Sequence, residues 1–567
     1  MRYRGVIAGI VLTVLAVTLW RLTQPAPSHD LLLTQVTFDP GLTGWPAISS
    51  DGRMVAYASD RDSGSNLELY VQPIRGGSPV RLTSTSDDNS EPAFSPDGAT
   101  LAYHSTKSGG GIYTVPVAGG DPHLLAAGGH TPRYSPDGRS IAYSDAAGAY
   151  IVASSGGAPR RFHPEFHSLE TPAWSPDGGA LLFWAQGDVL VASPDGADFA
   201  RSGLAARVAK AGLGAGPFDD ALWTSDGFLF SARTGVVRNL YRCPLNRLGK
   251  ATGDVVRLTN GTEPIGDPSV SRDGRMVFSS GRQRYDIWGL PLDAASGQAT
   301  GPPYRITDTL APTANPDISA DGRRLIFGCS RNGFTEVWEK DLVSGKEKVA
   351  ATGAEGASYG RLLKTSGGIL YVRPAGSHDD VYLANRQLAA GTRHWDADSQ
   401  ETTVLVSGAG IDALNILTKQ RVPLLSAPRQ TKLSAASYSP DDRWVLFLAE
   451  TAPQAARIYV APARGGGWRP VTDGAGAVGK PRFSPGGRLI YFTLDRGGTR
   501  DIWAVRFDPQ SGDALGQPFP VFQPGAGRLS LAAVNPQALD IAVARDKLAM
   551  ILCESTSTIW MGDPVLR

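Results

Sequence analysis

The chain has 567 residues, 41% of them apolar, with 67 glycines and 41 prolines, and its 55 basic and 54 acidic residues leave a formal net charge of +1. That length and apolar content supply core for large β domains, while the charge balance offers no basic footprint for DNA or RNA. The three cysteines, Cys243, Cys329 and Cys553, lie far apart with no C-x-x-C spacing, which predicts buried free thiols rather than a disulfide framework or a metal site.

At the N-terminus, Gly5 to Trp20 carries no charge, with Arg2 and Arg4 before it and Arg21 after it. This is a membrane-targeting pattern, and no small-x-small cleavage site follows. The expectation is a cytoplasmic tip at 1–4, an uncleaved signal anchor or transmembrane helix at 5–21 and a Pro-bearing tether at 22–31. The remainder would then lie in a bacterial periplasm, held to the inner membrane; cleavage would instead release it as a periplasmic or secreted protein.

From residue 32 onward a short string returns: Ser95-Pro96-Asp97-Gly98, Ser135-Pro136-Asp137-Gly138 and Ser175-Pro176-Asp177-Gly178. Degenerate copies occur at Ser50-Asp51-Gly52, Ser225-Asp226-Gly227, Arg272-Asp273-Gly274, Ala320-Asp321-Gly322, Ser439-Pro440-Asp441-Asp442 and Ser484-Pro485-Gly486-Gly487. The interval of roughly 40 to 50 residues is a propeller-blade period. Pro presets φ at the second position, Asp tolerates the third and Gly accepts φ > 0, so each string predicts a tight turn between antiparallel strands.

Around that turn lie a short strand such as Pro92-Ala93-Phe94, the alternating run Thr100 to His104, a third strand from Gly111 to Val117, and a Gly119-Gly120 turn into a fourth at His123-Leu124-Leu125. Four strands make one blade. Third strands rhyme as Leu67-Glu68-Leu69-Tyr70, Tyr285-Asp286-Ile287-Trp288, Thr335-Glu336-Val337-Trp338 and Asp501-Ile502-Trp503, with an aromatic predicted to pack between blades.

The Ser-Pro-Asp-Gly turn followed by an Asp-Ile-Trp/Tyr strand resembles the TolB-like β-propeller family, a WD40-like repeat class. The resemblance implies an all-β fold of tandem β-propellers. About twelve four-stranded units fit two six-bladed rings behind the membrane helix, the first at 32–300 and the second at 301–567, with the connector around Ala294 to Pro312. Leu32 to Thr37 reads as a fourth strand with no blade before it. Pairing with the chain end would tie the rings together; pairing with the blade near Gly274 would close each separately.

Several strings imitate chemistry. Gly356-Ala357-Ser358-Tyr359-Gly360 matches the G-x-S-x-G elbow, but a blade strand follows where the elbow needs a helix. His163-Pro164-Glu165-Phe166-His167 lacks the H-E-x-x-H spacing, and Pro164 opposes a helix, so a surface loop is expected. Gly212, Gly214 and Gly216 lack the P-loop lysine, and Ala205 to Lys210 reads as a small helical insertion. No metal, cofactor or catalytic residue is assigned.

In a propeller the first strand of each blade lines the channel. Aligned on the turn, the residues entering those strands are Trp45, Glu91, Thr131, Thr171, Asp220 and Asp267, with His130 and Glu170 adjacent; the second ring offers Asn315 and Lys480. Three acidic groups at one mouth would attract a cation or a basic peptide. The plainer alternative is that they solvate a water-filled channel. The expected function, following the resemblance, is a non-catalytic, membrane-anchored periplasmic propeller that binds a protein or peptide. The alternatives are a channel enzyme, a lyase or hydrolase acting on polysaccharide, and a ligand sensor working through a partner.

Overall fold

The computed structural model describes residues 31–564 apart from 40, 63–65, 146, 167–168, 171, 197, 215–217, 219, 235–236, 294, 377, 408–409, 429, 453–454, 474–476, 497–498, 525–526, 532–533 and 536–537. The predicted anchor and tether, 5–31, therefore fall outside the described residues except for Leu31. Among the described residues no helix is long and apolar enough to cross a membrane.

The repeat builds antiparallel sheets, ten of four strands and one of seven among the described residues. Each starts from the turn chemistry. Ser95 Oγ donates to Asp97 Oδ1 at 2.5 Å and accepts from the Thr100 N–H at 3.0 Å, and Asp97 Oδ1 also accepts from the Ala99 N–H at 3.0 Å. Gly98 closes the turn at φ 73°. The same bonds recur at Ser135/Asp137, Ser175/Asp177 and Ser319/Asp321. The turn proline has a separate use: a Cβ on Gly138 would touch Pro96, and one on Gly178 would touch Pro136, so each turn packs on the next.

The third strand is locked to the fourth by a polar pair. Asp286 accepts from the Thr307 hydroxyl at 3.2 Å, while Thr307 Oγ1 accepts from the Ile287 N–H at 2.8 Å. Asn239 with Thr259 and Glu68 with Thr83 repeat the arrangement. The acid of the Asp-Ile-Trp string is thus structural, and its aromatic packs as predicted: Tyr70 and Trp288 are buried, and Trp338 and Trp503 lean on neighbouring cores. All three cysteines are free and buried. The short helix spans Leu204–Lys210.

Contacts between first strands pass from Thr43–Ile48 to Asn89–Phe94, His130–Tyr134, Ala173–Trp174, Leu222–Thr224 and Ile265–Val270, and return to the first. A second circuit runs from Thr313–Ile318 through the blades of Ser358–Leu362, His394–Ala397, Lys432–Tyr438, Ala477–Phe483 and Ile541–Val543, and back. One ribbon joins the circuits. Met276–Pro291, sixteen residues, pairs along its whole length with Lys547–Pro564. At one end Ile265–Val270 and Leu31–Gln35 flank it, and at the other Ile541–Val543 and Tyr304–Arg305 do so. Of the two closures open in the sequence, Leu31–Gln35 takes the pairing with the chain end. Arg305 clamps the ribbon's middle, bonding both Asp286 and Glu554 with its guanidinium 4.7 Å above the Trp288 ring.

Candidate functional site: two channels of different build

Eight of the twelve first strands, among the described residues, carry a one-residue bulge four positions before the turn, where the backbone is left-handed. Trp45, Glu91, Thr131 and Asp267 sit at φ 48–57° in the first circuit, and Asn315, Tyr359, Ala435 and Lys480 at 48–54° in the second. Non-glycine residues rarely adopt this conformation, and its recurrence marks a built feature of the repeat. A proline follows six of these eight, Pro46, Pro92, Pro132, Pro268, Pro316 and Pro481; lacking an N–H, it loses nothing where the ladder is interrupted.

In the first circuit these residues line a cavity of 790 Å³ that extends from Trp45, Glu91, Thr131, Asp220 and Asp267 down to the turns at Ser95, Ser135 and Ser175. Five of the expected mouth residues therefore share one space. Asp267 Oδ2 accepts from Ser279 Oγ at 2.6 Å; Asp220 Oδ2 accepts from Ser231 Oγ at 2.8 Å and from Arg238 Nη1 at 3.3 Å. Burial, followed by the Asp220 carboxylate, pushes the Asp267 carboxyl up to about 7. Glu91 Oε2 accepts from the Thr131 N–H at 2.6 Å, and burial raises its carboxyl as well.

Two residues further along each first strand, the first circuit has Ala47, Ala93, Arg133, Ala173, Leu222 and Ser269. Small and apolar side chains leave the bore open. Arg133 alone is charged there; Asp220, Glu91 and Asp267 act on its guanidinium, and its Nε has no hydrogen-bond partner.

Two expected residues do not line this cavity. His130 stacks on His104 with ring centroids 4.0 Å apart and reaches Glu91 only at 3.8 Å. Glu170 faces a narrow space among Leu182, Trp184, Phe218 and Phe228. Thr171 lies outside the described residues. The expected loop at 163–167 is a turn with Pro164 and Glu165 exposed, but His163 points inward: it is 3% exposed, bonded through Nδ1 to Glu165 at 2.7 Å and packed against Phe162, Phe166, Phe183 and Phe199. His167 is not among the described residues. Ser358 of the elbow-like string lies on a strand paired with Ile369–Ala375. No group of three metal-capable side chains occurs among the described residues.

The second channel differs at the same positions. Its inner layers are Asn315, Tyr359, His394, Ala435, Lys480 and Asp540, then Asp317, Arg361, Asp396, Ser437, Arg482 and Ala542. Asp540 accepts from Arg361 Nη2 at 2.5 Å and from Arg482 Nη2 at 2.7 and 2.8 Å. Asp317 accepts the Leu362 N–H at 2.7 Å from the next blade, and Asp396 the Tyr438 N–H at 2.9 Å, with Lys364 3.2 Å away. Burial would raise the Asp540 carboxyl, but Arg482, Arg361 and Lys480 together hold it well below the usual range. The sequence reading reached only Asn315 and Lys480 here. Counting two residues on from these would have exposed Asp317 and Arg482.

Comparison with known proteins concerns mainly the first blades. Residues 32–193 match the TolB beta propeller domain family model. The Tol-Pal system protein TolB of two Francisella tularensis strains, subspecies mediasiatica FSC147 and holarctica OSU18, is 39% identical over 62 residues, 11% of this chain and 14% of that protein. The chain thus spans about 14% of the length of these curated relatives. A solved Agrobacterium tumefaciens chain described as a TolB is 15% identical, with 48% of this chain and 99% of that one covered at a TM-score of 0.39. For the tricorn protease the figures are 12% identity, 89% and 54% coverage and a TM-score of 0.33. The similarity to the TolB beta propeller domain thus covers residues 32–193, under a third of the chain.

Proposed function

We propose that this is a non-catalytic propeller protein of the cell envelope that binds a protein or peptide, and that a cationic segment of the partner enters the first channel. The observation that carries this is the cavity of 790 Å³ lined by Glu91, Asp220 and Asp267 on walls of proline and tryptophan. Acidic groups in a partly dry cleft focus potential on an entering ammonium or guanidinium, and flat apolar walls grip the chain that bears it. Similarity of the first blades to the TolB beta propeller domain supports the envelope setting and a binding role. In this reading the two circuits are six-bladed rings, and residues 5–21 hold them to the periplasmic side of the inner membrane.

The test uses the full chain in detergent and a peptide library displaying single Lys or Arg residues in neutral sequence. Wild type should enrich basic peptides. The Glu91→Gln, Asp220→Asn, Asp267→Asn variant, once shown to melt as wild type does, should lose them by at least about tenfold, the scale of one or more charge-assisted bonds. Equal enrichment by both proteins would place any binding elsewhere on the blades.

A further inference from the structure

The second channel holds polar groups that its ion pairs do not use. His394 is 4% exposed, and neither ring nitrogen makes a hydrogen bond of good geometry, although the Tyr359 backbone acts on the ring; Ser437 is 9% exposed, and its Oγ has no partner among the described residues. They belong to successive blades, and Lys480 belongs to the blade after that. Lys480 is half-buried and makes no direct ion pair, although Asp540, Arg482 and Arg361 all act on its ammonium. Buried polar side chains are almost always hydrogen-bonded, so two orphans on neighbouring blades of the circuit that also carries Lys480 call for a ligand.

Charge decides its sign. Arg361, Arg482 and Lys480 face Asp540 and Asp317, while Asp396 is matched by Lys364. One positive charge remains, and the unpartnered groups include an ammonium, a hydroxyl and an imidazole N–H, all able to donate. Arg361 and Arg482 are committed to Asp540, which fixes them as walls.

We propose that the second channel binds a small oxyanion, a carboxylate or phosphate group, held by Lys480, His394 and Ser437. The site is separate from the cationic one proposed for the first channel, and the chain would then read opposite charges in its two bores.

Titration calorimetry on the full chain at neutral pH, with inorganic phosphate, acetate and a peptide ending in two glutamates as probes, tests this. The expected result is saturable one-to-one binding of at least one probe with a matching rise in melting temperature. Binding of phosphate or acetate identifies a free ion as ligand, and binding of the peptide alone identifies a carried carboxylate. Lys480→Gln should weaken it by about tenfold or more and Ser437→Ala by a smaller factor, as the loss of a charged and a neutral donor requires. Glu91→Gln should bind as wild type does. Should Lys480→Gln fail to fold, Ser437→Ala decides alone. Failure of every probe to bind wild type, or Lys480→Gln and Ser437→Ala proteins that bind like wild type, would overturn the proposal.

Discussion

The two channels are made from the same repeat and differ chiefly in one layer. Two residues past the bulge, the first circuit places Ala47, Ala93, Ala173 and Leu222 around Arg133, and the second places Asp317, Arg361, Asp396 and Arg482. Alanines leave a bore that holds 790 Å³. Acids and arginines reach across theirs and bind one another through Asp540. The backbone motif therefore fixes that a channel exists, and a handful of side chains fix whether it is lined or bridged. The lesson agrees with the general one that a shared fold carries different sites.

The ribbon common to both circuits allows the sharpest break. A Cβ on Gly281 would come within 2.2 Å of the Thr556 carbonyl oxygen and 2.4 Å of Ser557 Cβ. Gly281→Val cannot be accommodated without parting the ribbon, at a cost of about 4 kcal/mol or more. Because residues 276–291 and 547–564 take part in both circuits, the damage should reach both. Calorimetry should show the whole transition moving down, and a variant that melted only half of its enthalpy early would argue for independent rings.

Next in size is the contrast between two buried aspartates. Asp540→Asn leaves Arg482 without its hydrogen-bonded carboxylate and Arg361 with only Asp317, 3.9 Å away, and unpairing a buried ion cluster costs about 3 kcal/mol. Asp267→Asn removes a carboxyl that is already hard to ionise, and should cost less than about 1 kcal/mol at neutral pH or even stabilise. Urea denaturation of both variants checks the ranking, and equal losses would mean that the channels are energetically alike.

The same pair should respond to pH with opposite signs. Asp267 titrates near 7 in the folded chain against an ordinary value of 3.8, so between those values the native state holds a proton that the unfolded chain has released. That contribution is fully present below about pH 4 and is lost as pH rises through 7, on the order of 1 to 2 kcal/mol after allowing for water in the cavity. Asp540 is depressed. Its contribution is present above its ordinary pKa and is lost as pH falls below about 4. Stability profiles should show the Asp267→Asn variant without the decline between pH 4 and 7, and the Asp540→Asn variant with a shallower acid limb.

Much of this was legible in the chain because the turn is local chemistry. Ser95, Asp97 and Gly98 bond within five residues of one another, so the string announces the strands around it. The channel residues Glu91, Asp220 and Asp267 could be found by counting back from the turn. Their neighbours could not be added to the site in the same way: side chains in a strand alternate between faces, so His130 goes to His104, and Glu170, ahead of its strand, goes to the Phe218 side. The second channel was obscured by its worn turns. Leu363 to Gly368 and Ala544 to Lys547 lack the Ser-Pro-Asp-Gly string, and without that marker Arg361 and Asp540 cannot be aligned. Their meeting joins residues 179 positions apart, a contact that only closure of the circuit creates. His163 was misjudged because a left-handed backbone at φ 47° turns it inward from what reads as an exposed run.

The smallest prediction concerns the bulge that both channels share. Ala435 holds φ 54° and is followed by no proline, unlike Glu91 or Lys480. It is also a bulge residue with no polar group to place in the bore. Left-handed backbone costs a non-glycine residue about 1 kcal/mol, whereas glycine adopts it freely. Glycine also gives the unfolded chain more freedom, which returns part of that gain. Ala435→Gly should therefore stabilise by about 0.5 kcal/mol. Glu91→Gly should not, since it relieves the same strain but abolishes the carboxylate that accepts the Thr131 N–H across the blade boundary. If both substitutions stabilise equally in denaturant titrations, the bulge carries strain alone; if only Ala435→Gly does, the first channel's acid is part of how its blades are joined.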